Sequence, residues 1–231
     1  MDAIYQCYQK NQHVEFVLEN FYKNGGDTVY LLSDAGNDFS YLKEKYKDKL
    51  IYKYNPQKTW CGINGWVSKC QALNWMIWYT KACRQLNSKY IILLEDDVYI
   101  RGNLNTIDIT GEIMGPPEHK WNKLNDVVQK YLNSFDNKNI PTTFYVGCGG
   151  SIMNRQIIAS GRLVYLMNRH YDNLTSLCDK MLFSDAMFTA LFRLLGYNSV
   201  ANKDYTEPWL NANWKTTNEK IIHQCEFQDV L

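Results

Sequence analysis

Tyr90-Ile91-Ile92-Leu93-Leu94 is an unbroken apolar run that ends in three carboxylates, Glu95-Asp96-Asp97. A strand with one wet face alternates apolar and polar residues. A run without alternation is covered on both faces, as in the central strand of a mainly parallel sheet. This segment therefore requires a layer of helices on each side.

The residues before it supply those layers. Ala3 to Tyr8, Thr28 to Ser33 and Leu50 to Tyr54 read as further short strands. Between them, Val14, Val17, Leu18 and Phe21 follow helical spacing behind Asn11 as N-cap, and Asn24-Gly25-Gly26 stops that helix. Phe39, Leu42 and Tyr46 mark a short, Lys-rich helix. Ser68-Lys69-Cys70-Gln71 has the form of a capping box, with Cys70, Leu73 and Ile77 on the inward face of the helix it opens. Alternating strands and helices predict an α/β fold, an α/β/α sandwich around a mainly parallel, mixed sheet. After Gly115-Pro116-Pro117 the pattern is less regular. Leu124, Val128, Tyr131 and Phe135 describe a helix, and Thr143 to Val146 a strand running into Gly147-Cys148-Gly149-Gly150. Ser184 caps a helix with Phe188, Leu191, Phe192 and Leu195 inward. With no repeat or low-complexity linker, residues 1–231 read as a single domain.

Composition narrows the function. Lys plus Arg is 25 against 24 for Asp plus Glu, a net charge of +1 that argues against a nucleic-acid clamp or a polybasic membrane binder. The longest apolar runs fall far short of the roughly 20 residues of a spanning helix. Met1-Asp2-Ala3-Ile4-Tyr5 reads as a strand rather than a targeting leader. The 7 Cys form no CxxC pair and mostly sit among apolar neighbours, which points to buried thiols in a reducing, cytoplasmic setting. The 17 Tyr and 7 Trp suit either stacking on sugars and bases or filling a core.

Three adjacent carboxylates at the mouth of a buried strand repel one another. A hard divalent cation, Mn²⁺ or Mg²⁺, supplies the counter-charge and can bridge to a diphosphate; a solvated acidic turn is the plain alternative. Ligands of open α/β sheets bind at this end of the strands. The segment L-L-E-D-D-V-Y, Leu93 to Tyr99, resembles the DxD-type motif of the GT-A glycosyltransferases, metal-dependent nucleotide-sugar enzymes. Glu95 stands where a strict DxD has Asp. The resemblance implies a GT-A-like fold, a nucleoside-diphosphate sugar donor (a UDP-sugar) and a glycan or other hydroxyl acceptor. It implies a nucleotide-sugar-binding half over 1–110 and an acceptor-binding half over 111–231. It also makes Asp97 the direct metal ligand, with Glu95 and Asp96 contacting the donor's ribose or sugar. The Tyr-, Asn-, Lys- and Ile-rich composition is similar to that of large DNA viruses, and the compact size to chlorella-virus capsid-glycan transferases, which implies the host cytoplasm as location.

Other positions follow from the same resemblance. Tyr8 and Gln9 end the first strand and Asp34 the second, where similar enzymes hold nucleobase and ribose; Asp34 reads equally as a turn residue before Gly36. Asn64-Gly65-Trp66 and then Lys69 could meet the diphosphate through backbone N–H groups and an ammonium, or Lys69 could be an ordinary surface lysine. Gly149 and Gly150 resemble the glycine-rich segment under the transferred sugar. Trp209 and Trp214 form an acceptor-side lid or pack into the core. Asp185, opening a helix, is the candidate catalytic base of an inverting displacement, although an Asp in a first turn is favoured by the dipole alone; Asp179 is the fallback. His223, after Ile221-Ile222, is the candidate additional metal ligand, brought back by a strand-like stretch.

Two readings of other classes stand beside this one. A haloacid-dehalogenase-like phosphatase also places acids after an apolar strand, but its attacking residue is an Asp and Glu95 occupies that position. A non-catalytic carbohydrate-binding domain would use the aromatics alone. Nucleotidyl transfer lacks its Gly-rich loop after Tyr8.

Overall fold

The computed structural model describes residues 1–61, 65–116, 126–135, 145–177, 184–208 and 211–225. Its centre is a seven-stranded sheet in the order β3-β2-β1-β4-β7-β6-β8. The strands are β1 (Asp2–Cys7), β2 (Val29–Asp34), β3 (Leu50–Asn55), β4 (Tyr90–Leu94), β6 (Ile113–Gly115), β7 (Ile152–Asn154) and β8 (Val200–Ala201). β1 to β4 are mutually parallel; β7 runs antiparallel to both β4 and β6. A second sheet, β5-β10-β9, joins β5 (Tyr99–Ile100), β9 (Tyr205–Thr206) and β10 (Ile221–Ile222).

Helices cover both faces of the large sheet. On one side α1 (Asn11–Lys23) buries Val14, Val17, Leu18 and Phe21, and α2 (Leu42–Tyr46) buries Leu42. They form one core with Ala3, Tyr5, Leu31, Ile92 and Leu94. On the other side α3 (Lys69–Gln85), α5 (Arg155–Ala159), α6 (Arg162–Ser176) and α7 (Ser184–Leu194) meet Ile4, Tyr30, Ile91 and Leu93. Part of α4 (Asp126–Asn133), Val128 and Leu132, joins this second core. Successive residues of β4 thus face opposite cores, which is why the run Ile91 to Leu94 has no polar member.

Half of the capping box forms as expected, and the return bond of Gln71 goes to Val67 N, one residue before the cap. Ser68 Oγ accepts from Gln71 N at 3.2 Å, and Gln71 Oε1 accepts from Val67 N at 2.9 Å. The inward face of α3 differs from expectation. Ala72, Trp75, Met76, Tyr79 and Cys83 are buried, whereas Cys70 is exposed and Leu73 and Ile77 are half-buried. Trp75 and Tyr79 take the core with the small residues Ala72 and Cys83 beside them, and Trp78 joins Leu73 and Ile77 in the half-buried flank. Asn11 is the first residue of α1 rather than its cap, and its side chain accepts from Asn37 Nδ2. The expected strand ending at Val146 is not formed at Tyr145–Val146; residues 143 and 144, like Leu124, lie outside the described residues. β7 follows the glycine segment instead of preceding it.

The order 3-2-1-4 switches direction between β1 and β4, and a crevice opens at their carboxyl ends. The small sheet begins directly after the acids that end β4, with β5 at Tyr99–Ile100. Asn20 of α1 anchors that sheet, donating to Ile100 O at 2.8 Å and accepting from Ile100 N at 2.6 Å. Among the described residues no helix is long and apolar enough to cross a membrane.

Candidate active site

β4 delivers Glu95, Asp96 and Asp97 into a tight turn closed by Val98 N to Glu95 O at 3.2 Å. β5 then pairs with β10, Tyr99 opposite Ile222, so that His223 emerges beside Asp97. Cys225 N extends this pairing by donating to Asp97 O at 3.3 Å. His223 Nε2 lies 3.3 Å from Glu95 Oε2 and 3.5 Å from Asp97 Oδ1. One atom each from Glu95, Asp97 and His223 lie within 4.8 Å of one another.

Two observations fit a divalent cation among these atoms. Asp97 Oδ1 is buried yet accepts no hydrogen bond among the described residues, a costly arrangement that a bound cation relieves. The donor set, two carboxylate oxygens and one imidazole nitrogen, suits a divalent cation. Electrostatics point the same way. Burial raises the pKa of Asp97, opposed by His223 and reinforced by Glu95. Burial also raises that of Asp96, against the hydrogen bond from Tyr5. Burial disfavours an imidazolium at His223, but hydrogen bonds to Glu207 and Glu95 and the Glu95 and Asp97 charges outweigh it and lift the pKa to about 10. Without a cation, a proton on His223 is the local counter-charge.

The acids line a cleft of about 240 Å³ that also receives Gln6, Tyr8, Lys10, Lys58, Trp60 and Ser184. A larger groove, about 860 Å³ along α3 and the β2–β3 edge, contains none of these acids. Tyr8 and Trp60 are 46% and 44% exposed, aromatic walls with Lys58 Nζ 5.7 and 5.4 Å from their rings. Asp96 is held by Tyr5, whose hydroxyl donates to Oδ1 at 2.7 Å.

The remaining sequence candidates fall in different places. Asp34 lines the cleft but is only 3% exposed. It accepts from Thr59 N, Trp60 N, Thr59 Oγ1, Gln6 Nε2 and Asn55 Nδ2, so its lone pairs fix the loop that carries Trp60. Gln9 is an exposed turn residue whose carbonyl accepts from Asn11 N and Asn37 Nδ2. Lys69 pairs with Asp172 of α6 at 2.8 Å and is absent from the cleft lining; the cations that line it are Lys10 and Lys58. Asn64, Asp179 and Trp209 lie outside the described residues. Trp214 is buried with Ile222 and Cys225, a core role rather than a lid.

Gly149 lies directly against His223. A Cβ there would meet His223 Cδ2 at 2.9 Å, Nε2 at 3.1 Å and Val98 Cγ2 at 2.5 Å. Gly150, at φ +82°, donates its N–H to Leu93 O at 2.8 Å and faces Ile221 and Tyr205. The glycine segment is therefore the seat of the β9–β10 side chains. Asp185 sits in the first turn of α7, behind cleft-lining Ser184, and its Oδ1 accepts from Ala186 N at 2.8 Å. Burial, reinforced by Glu95, raises its pKa to about 6 against that backbone hydrogen bond. Glu207, Tyr205, Lys10, Lys58 and Trp60 carry no motif by which a sequence singles them out.

No protein-family model and no curated protein matches this sequence. Solved structures do. A galactosyltransferase, LgtC, in complex with donor and acceptor sugar analogues, superposes with a TM-score of 0.59 at 9% identity, over 98% of this chain and 88% of that one. An active-site mutant of LgtC superposes at 0.60 with the same identity and coverage. The glycosyltransferase GlyE of Streptococcus pneumoniae gives 0.51 at 11% identity, over 98% of this chain and 56% of that one. At such identities the likeness is one of architecture: this chain has the mixed α/β, GT-A-like fold of those glycosyltransferases.

Proposed function

We propose that this protein is a cation-dependent glycosyltransferase that moves a sugar from a nucleoside-diphosphate donor, a UDP-sugar, to a hydroxyl acceptor such as a glycan. The observation that carries this reading is the triangle of Glu95, Asp97 and His223 at the switch point of the sheet, with an orphaned Asp97 oxygen. Aromatic and cationic residues face the same cleft, as a base and a diphosphate require.

Asp97, Glu95 and His223 hold the cation, Mn²⁺ or Mg²⁺, which when bound neutralises the charge that develops on the departing diphosphate. Lys10 and Lys58 add positive charge along the same edge, and Tyr8 and Trp60 flank the base. Tyr5 fixes Asp96, leaving its second oxygen for a donor hydroxyl. Asp185 accepts the proton of the acceptor hydroxyl as it attacks the anomeric carbon, giving inversion. Its burial keeps its basicity nearer neutrality than that of a solvated carboxylate.

The test is a panel of nucleotide sugars, with and without Mn²⁺ or Mg²⁺, read by thermal shift and by nucleoside-diphosphate release. Cation-dependent stabilisation by one nucleotide class, followed by transfer or slow hydrolysis, is the expected result. Phosphate release from phosphomonoesters without nucleotide would replace the reading with a phosphatase. Glycan binding indifferent to cation and nucleotide would replace it with a binding domain. Retention of the donor's anomeric configuration would remove Asp185 from the role of base.

A further inference from the structure

His223 is held at both ring nitrogens, and only one of them faces the acids. On the opposite side, Nδ1 lies 3.1 Å from Glu207 Oε1 and 2.7 Å from the Tyr205 hydroxyl, which itself donates to Glu207 Oε1. Glu207 is 3% exposed, and His223 is its only ion-pair partner among the described residues. Its other oxygen, Oε2, is buried without a hydrogen bond among the described residues. A carboxylate sequestered in this way is expensive for the fold.

An imidazole can offer a lone pair to a cation only through a nitrogen that carries no proton. A carboxylate on Nδ1 draws the proton there and leaves Nε2 bare, toward Glu95 and Asp97. Such outer partners orient a ligating histidine and raise its basicity. The strand pattern sets the placement: Tyr205 and Glu207 are two apart on β9 and its extension, so both point to the face where β10 delivers His223. Gly149 and Gly150 leave room for the ring and for Tyr205.

We infer that Glu207, braced by Tyr205, is a positioning residue for the cation site, fixing His223 with its proton on Nδ1 and its Nε2 lone pair aimed between Glu95 and Asp97. The inference rests on the cation reading given above. The experiment is a Mn²⁺ titration of folded protein, followed by the electron paramagnetic resonance signal of the free ion, with and without nucleoside diphosphates. It compares wild type, Glu207→Gln, His223→Ala and the double variant.

Glu207→Gln keeps the size and a hydrogen-bonding oxygen but removes the charge; a 10- to 100-fold loss of Mn²⁺ affinity is expected. The same change should cost little further affinity in the His223→Ala background. In the Mg²⁺-loaded protein, long-range ¹H–¹⁵N spectra should show His223 as the Nδ1–H tautomer in wild type and a tautomer mixture in Glu207→Gln. Tyr205→Phe, which keeps the ring on Gly150 and removes the brace, should weaken Mn²⁺ several-fold and serves if Glu207→Gln does not fold. Unchanged affinity in the folded variants, or a Glu207→Gln loss that persists in full without His223, overturns the positioning role while leaving the cation site standing. A wild-type protein that binds Mn²⁺ neither alone nor with any nucleoside diphosphate overturns the cation site and the inference together.

Discussion

Replacing Gly149 with alanine tests the geometry of the site with a single methyl group. The backbone at Gly149 is not in the left-handed region, so the variant meets no conformational penalty of its own. Its Cβ would stand 2.9 and 3.1 Å from two ring atoms of His223 and 2.5 Å from Val98 Cγ2. Restoring ordinary contacts of about 3.5–4 Å requires relative movements of roughly 0.5–1 Å against the ring and roughly 1–1.5 Å against Val98, shared with the glycine segment. The ring has little freedom, because both its nitrogens are engaged and its backbone N–H donates to Thr206 O at 3.1 Å. Overpacking of this kind costs about 1–3 kcal/mol. For a chain of this size that is a fall in Tm of roughly 2–12 °C. A reacting or ligating group displaced by about 1 Å loses on the order of a hundred-fold in function. Gly149→Ala should therefore remain folded at about 20 °C by circular dichroism, bind Mn²⁺ about 10- to 100-fold more weakly, and transfer sugar correspondingly slowly. Wild-type Mn²⁺ affinity in a variant whose Tm has fallen would show that His223 is not a ligand seated on this glycine.

Three further outcomes are expected. Asp97→Asn removes a charge from the triangle and should abolish Mn²⁺-dependent UDP binding, measured by calorimetry, in a protein that still folds. Asp185 has a folded-state pKa of about 6, above its ordinary value near 3.8. Its protonated form therefore favours the fold, and that contribution is present at low pH and lost as pH rises through 6. Asp185→Asn should gain on the order of 1–3 kcal/mol over wild type at about pH 7 relative to about pH 4 in urea melts, and should lose the rising limb of turnover near pH 6. Asn20→Leu leaves the Ile100 N–H unpaired beneath α1, while Asn24 Nδ2 still donates to Ile100 O at 2.9 Å, and should cost about 1–3 kcal/mol, read by the same melts.

The parts legible in the sequence are those with local periodicity or local chemistry. The apolar run of β4 with its acids, and helix α1, are stated by adjacent residues. α6, with Leu163, Met167 and Leu174 buried, carries a clear helical spacing but no chemistry. β5, β8, β9 and β10 are two residues each, too short for an alternation to declare itself. Ile221-Ile222 suggests a strand before His223, but its pairing opposite Tyr99 depends on a fold closing over more than a hundred residues. The pairing of Glu207 with His223, 16 residues apart, depends on the parallel alignment of β9 with β10, which no local pattern announces. Lys69 illustrates the converse: its place at a helix start suggests an anion, yet Asp172, distant in sequence, takes its ammonium. Charge partners are a tertiary property, and spacing along one element does not reveal them.

The ladder between β5 and β10 has a consequence for the heterogeneity of any preparation. Two-residue strands hold their alignment weakly, and a slip by one position turns every side chain to the opposite side. A molecule with β10 displaced by one residue would bury the wrong neighbour of Ile222 and turn the imidazole away from Glu95 and Asp97, while its large sheet stayed intact. Circular dichroism would score that molecule as folded, and it would retain no complete triangle of donors. Moles of Mn²⁺ retained per mole of protein would then count the correctly threaded chains, a quality measure that no spectroscopic average of secondary structure supplies.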